Sequence, residues 1–164
     1  MATKDDFTEE EWTRLGRAPV VAGMAISLAD PGGPIETIKE SSAALRTVLE
    51  AAQSGRYGEF VQAVARDFAE KATHRRNPMA GFKPKGTGAG EVVLDELRAV
   101  NGLLEERATP EEAEQFREWL KTAAQRAATA AKEGGFLGFR GELVSEREQQ
   151  MLDRLAEVFY PARG

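Results

Sequence analysis

Few residue groupings in this chain could do chemistry, and each has a plainer use. The stretch Gly134-Gly135-Phe136-Leu137-Gly138-Phe139-Arg140-Gly141 has the glycine density of a phosphate loop. A dinucleotide fingerprint needs a preceding strand and open backbone amides. Here a helical segment precedes, and Phe136, Leu137 and Phe139 would crowd a phosphate. We read the stretch as a connector with hydrophobic anchors. If Phe136 and Phe139 are exposed, they form an interface for a partner or a second subunit.

Gly86-Thr87-Gly88-Ala89-Gly90 precedes another helix, with Lys83 and Lys85 close by. Amides at a helix start plus lysines can take an anion, but no Gly-Lys-Ser/Thr pattern follows and Glu91 would repel a phosphate. From Lys71 to Gly90 there are five Lys or Arg and no acid. In a chain of net charge -5 this is the one clear positive island. Arg75, Arg76, Lys83 and Lys85 are therefore the candidate anion or partner contacts. His74, beside Arg75 and Arg76, suits a helix C-terminus, where positive charge complements the dipole. As a catalytic base it lacks an evident nucleophile.

The carboxylates allow one more site. Asp30, Glu36 and Glu40 surround one glycine turn, and Glu133, Glu142 and Glu146 surround another. Together they could hold Ca²⁺ or Mg²⁺, although no Asp-x-Asp-x-Asp-Gly loop is present and acids at helix starts are also explained by capping. With no cysteine and a single histidine, thiolate chemistry, Cys-held clusters and His-rich metal sites within one chain are excluded. No cofactor is implied beyond that hard cation. No catalytic residues stand out, and enzymatic activity is not the expectation.

The elements that must position these residues are helical. The 164 residues suit one domain, and alanine and glutamate abound while β-branched residues are sparse. Thr8 and Glu11 make a capping box, and Phe7 and Trp12 a hydrophobic staple, so a first helix should run from there to Leu15 or Arg17. Pro19 suits the first turn of a second helix, which Asp30-Pro31-Gly32-Gly33 ends. Further helices are expected over about 34–53, 60–74, 91–107, 110–132 and 146–159, with capping boxes at Thr109/Glu112 and Ser145/Glu148. The sum is an all-α single-domain bundle of about seven helices. Residues 1–6 should be disordered and 75–90 should form a long exposed loop.

Two places share a plan: Trp12 through Asp30-Pro31-Gly32-Gly33 to the helix from Pro34, and Trp119 through Glu133-Gly134-Gly135 to the helix from Ser145. This internal echo is compatible with a helix-loop-helix duplication. The design resembles bacterial TerB-type, tellurite-resistance-like helical domains over roughly residues 18–50 and 116–159. The turns here read Asp30-Pro31-Gly32 and Glu133-Gly134 in place of the usual Asp-Gly. The stretch 131–138 with Ser145-Glu146 is also similar to uncharacterised bacterial helical proteins. The first resemblance implies a stress-linked module binding a metal through carboxylates, or an anion.

The polar, acidic start does not read as a signal peptide. The longest apolar run, Ala18 to Ala29, is shorter than a membrane span. We expect a cytoplasmic protein without general nucleic-acid affinity. It should act through protein contacts, as a homo-oligomer or with another protein.

Overall fold

A computed structural model describes the backbone of residues 1–29, 34–86, 88–133 and 146–162, and the side chains of 1–29, 42–86, 88–130 and 146–162. Among these residues six α-helices follow a 3-10 turn at Lys4–Asp6: α1 (Glu9–Ala29), α2 (Pro34–Ser54), α3 (Gly58–Thr73), α4 (Ala89–Arg107), α5 (Pro110–Glu133) and α6 (Glu146–Phe159). There is no strand among the described residues. The protein is an all-α single-domain bundle.

The helix count differs from the expected seven because the chain does not break at Pro19. Proline lacks the amide that Leu15 would otherwise receive and crowds that carbonyl, so it usually ends a helix. Here α1 continues through it. Leu15 and Ala18 before it and Val21, Ala22, Ala25 and Ile26 after it are all fully buried. Burial of both sides of Pro19, in a helix packed against α4 and α5, offsets the missing hydrogen bond.

α1 and α5 form the middle of the bundle, each packed against all the other helices. α2 and α3 pair on one flank, and α4 and α6 on the other. The residue types suit that placement: α1 is rich in small and apolar residues, whereas α6 shows one apolar face, with Met151, Leu155, Val158 and Phe159 buried. A chain of rings links the layers. Phe60 lies 5.9 Å from Phe7, 6.1 Å from Trp12 and 5.8 Å from Phe116. The Phe116 ring meets Trp119 edge-on at 5.2 Å.

Local signals place the ends. Thr8 N donates to Glu11 Oε2 at 2.8 Å and Glu11 N to Thr8 Oγ1 at 3.1 Å, closing the expected capping box. Phe7 and Trp12 meet at 5.7 Å, the expected staple. The box at Thr109 forms likewise, with Thr109 N to Glu112 Oε2 at 2.9 Å and Glu112 N to Thr109 Oγ1 at 3.2 Å. Ser145 lies outside the described residues, as do the turns that carry the internal echo. The Ala52 carbonyl at the end of α2 accepts from Gln62 Nε2 and Arg66 Nε of α3, at 3.3 and 3.1 Å. The α2–α3 turn needs glycine: Gly58 has φ +86, and a Cβ there would lie 2.3 Å from Gln115 Oε1.

Residues 1–6, expected to be disordered, are instead stapled to the bundle. Ala2 is buried, and its amide donates to both oxygens of Glu112 at 3.0 and 3.2 Å. Arg107 Nη1 reaches the Asp6 carbonyl and Glu11 Oε2, each at 2.8 Å. Lys4 pairs with Asp67 at 3.0 Å, and Lys71 pairs with Glu9 at 3.2 Å and Asp67 at 2.9 Å. Composition suggested a free polar tail because these partners lie more than 60 positions away in sequence.

That alternating network gives stability a pH dependence. Partial burial pushes the Asp67 carboxyl up, but hydrogen bonds and charge from Lys71 and Lys4 outweigh it and hold it below the usual range. A folded-state value below the unfolded one stabilises at pH above the ordinary aspartate range, and that contribution disappears as pH falls through the folded value. Thermal melts across acid pH should show Asp67→Asn losing less stability on acidification than the parent. Parallel acid limbs would refute this role for Asp67.

Candidate functional site

The connection between α3 and α4, residues 74–88, is built as a strap. α3 ends in two reversed hydrogen bonds, Arg76 N to the Lys71 carbonyl at 2.9 Å and Arg75 N to the Ala72 carbonyl at 3.3 Å. This is the Schellman pattern, and it places Arg75 at the position that favours glycine. Arg75 adopts φ +57, the one non-glycine residue with positive φ among those described. Next, Asn77 Oδ1 accepts the Met79 amide at 2.9 Å, and the Met79 carbonyl accepts the Phe82 amide at 3.0 Å. α4 then begins at Ala89, two residues before the expected Glu91.

The strap is not exposed throughout, as expected of 75–90. Phe82 is buried, with the Arg17 guanidinium of α1 over its ring at 5.0 Å, and Met79 packs against the core. Arg17 is itself buried and donates to Glu96 Oε1 of α4 from Nε at 3.0 Å and from Nη2 at 2.7 Å. Arg14 Nε reaches the same oxygen at 3.2 Å. Two guanidiniums therefore share one carboxylate, leaving a net positive charge beneath the strap.

Sequence reading missed this trio. Its signal was present: Arg14 and Arg17 sit at i, i+3 on one helix, and Glu96 interrupts the apolar run Val93, Leu94, Leu97, Val100. Such an acid is buried only when paired.

The expected contacts lie on the outside of the strap. Arg75, Arg76, Lys83 and Lys85 are all exposed, and none makes an ion pair or side-chain hydrogen bond among the described residues. Elsewhere most basic side chains are engaged: Lys4 and Lys71 with Asp67, Arg107 with Glu11, Lys121 with Glu118 and Arg126 with Glu50. Glu91, expected to repel an anion at the foot of α4, is taken by Arg154 at 2.6 Å. His74 caps α3 and is exposed. Asp67 is held by the two lysines.

The metal candidates Asp30, Glu36, Glu133 and Glu142, with Glu40, lie outside the described side chains, and so do the interface candidates Phe136 and Phe139. Among the described residues no group of three metal-ligating side chains converges. No helix among them is long and apolar enough to cross a membrane.

One further concavity lies elsewhere, an open cleft of about 660 Å³ between the α4–α5 turn and the end of α6. Its walls include Leu104, Ala108, Phe159, Arg117 and Tyr160. Its Arg117 and Tyr160 already have partners outside it. Arg117 Nε donates to Asn101 Oδ1 at 2.9 Å, and the Tyr160 hydroxyl donates to Glu114. Burial, with Glu114 adding to it, pushes the Tyr160 phenol far above its ordinary value, so it stays protonated and is no general base near neutrality.

The strap is thus a display of positive charge held to the core through Phe82 and Met79, with no counter-charge among the described residues. No protein-family model matches this chain, and neither does any curated protein or solved structure.

Proposed function

We propose that this protein is a binding module that works through protein contacts, with the α3–α4 strap engaging an acidic protein surface. The carrying observation is the set Arg75, Arg76, Lys83 and Lys85, exposed and without counter-charge among the described residues, where the other basic side chains are mostly paired. Two features support a recognition role. Phe82, stacked under Arg17, fixes the strap and so reduces the ordering cost of binding. Arg75 keeps a charge where the backbone favours glycine, at a cost of roughly 1 kcal/mol. An acidic protein surface suits the strap better than a nucleic acid, because four cations on one connection do not make the dense positive face that phosphate contacts along a nucleic acid need.

Polyglutamate serves as a probe of acidic surfaces. The parent should bind it with an affinity that falls as salt rises. Lys83→Glu combined with Lys85→Glu should abolish binding while the helical circular dichroism is kept, since both side chains are exposed. Binding that survives this charge reversal would end the proposal.

A further inference from the structure

We infer that the acidic surface met by the strap belongs to a second copy of this chain, in an antiparallel two-fold dimer along α4. The inference rests on the strap reading and names its partner. Opposite charge lies beyond the two ends of α4, positive on the strap before it and negative around the turn after it. The helix's N-terminal end receives the strap, with Lys85 four positions before Ala89. Its C-terminal end carries Glu105 and Glu106, and after a short turn the start of α5 adds Glu111 and Glu114. All four glutamates are exposed.

Glu106 and Glu111 make no ion pair among the described residues. Glu105 and Glu114 share Arg117 at 3.5 and 3.8 Å, distances too long for strong bonds. A corner of negative charge therefore lies at the opposite end of α4 from the strap.

α4 has 19 residues, about 28 Å at the helical rise. That is several Debye lengths at physiological salt, so strap and corner cannot neutralise each other within one molecule. A two-fold axis across the middle of α4 sets each strap against the other copy's corner. Both contacts form together and the assembly closes, as two-fold interfaces do. The outward side of α4 leaves room for it. Val92 is 47% exposed, a Cβ added at Gly102 would meet nothing within 4 Å, and Glu91 and Asp95 are already paired with Arg154 and Arg98.

Charge exchange tests this directly by sedimentation equilibrium. The parent should have twice the chain mass at low salt, with association weakened roughly tenfold or more at high salt. A strap variant (Lys83→Glu, Lys85→Glu) and a corner variant (Glu106→Lys, Glu111→Lys) should each be monomeric alone and retain the parent's circular dichroism. Mixed in equal amounts they should form dimers, because the reversed strap then faces the reversed corner while the parent strap faces the parent corner. Loss of folding could not produce that rescue.

A parent that stays monomeric at low salt, or a mixture that stays monomeric, overturns the inference. If polyglutamate still binds through Lys83 and Lys85 in that case, the strap reading stands and only the identity of its partner is wrong. If it does not, both fall.

Discussion

Trp119→Ala should lower the unfolding free energy by about 3–5 kcal/mol. Trp119 is fully buried on α5, and three contributions vanish with it. The first is the apolar area of a fully buried indole. The second is the edge-on contact with Phe116 at 5.2 Å, which aligns the ring positive edge with a negative face. The third is the indole hydrogen bond to the Thr47 carbonyl of α2, at 3.2 Å. α2 and α5 make the most extensive helix pair in the bundle, so the cavity opens where the flank joins the middle layer. A domain of this kind has only about 5–15 kcal/mol to lose, and the melting temperature should fall by on the order of 10 °C.

Trp119→Phe separates the contributions. It keeps a ring against Phe116 and loses the hydrogen bond, so its effect should be less than half that of Trp119→Ala. Urea unfolding followed by far-ultraviolet circular dichroism measures both. Equal losses for the two variants would show that ring packing is not the main contribution.

Glu96→Ala should cost a comparable amount, about 3–5 kcal/mol, because it leaves a buried guanidinium without a counter-charge. Arg17 is the residue stranded. Its side chain is only 11% exposed, and Nε and Nη2 both donate to Glu96 Oε1. Arg14, at 29% side-chain exposure, can turn to water and should add little. The reverse manipulation makes the point sharper. Arg17→Met combined with Glu96→Leu removes both charges and should recover most of the stability, since a buried pair is often no better than an apolar one of similar volume.

What the double variant should not recover is the strap. Phe82 loses the cation over its ring, so trypsin should cut faster at Arg75, Arg76 or Lys85 than in the parent. Unchanged cleavage with restored stability would show that Phe82 holds the strap by packing alone.

Some of this architecture was legible from the residues. The capping boxes at Thr8 and Thr109 and the Phe7–Trp12 staple are local devices, complete within six residues, so sequence spacing was enough to place the starts of α1 and α5. The positive island at Arg75 to Lys85 was legible for a similar reason: charge density along the chain needs no knowledge of the fold. Helical class followed from composition and periodicity.

What failed were judgments that depend on distant partners. Pro19 carries the local rule for a break, and burial of both halves of α1 overrides it. The first six residues carry the composition of a free tail, and Glu112, Asp67 and Arg107 hold them down. Whether Arg75, Arg76, Lys83 and Lys85 would be neutralised depended on which carboxylates the fold brings near, and among the described residues it brings none. Glu96 was an acid in an apolar stripe until α1 placed Arg14 and Arg17 against it. Local hydrogen bonding and helical period were determined by the sequence itself. Charge pairing between helices was decided only by tertiary structure, because Coulomb energy depends on distance through space and not on separation along the chain.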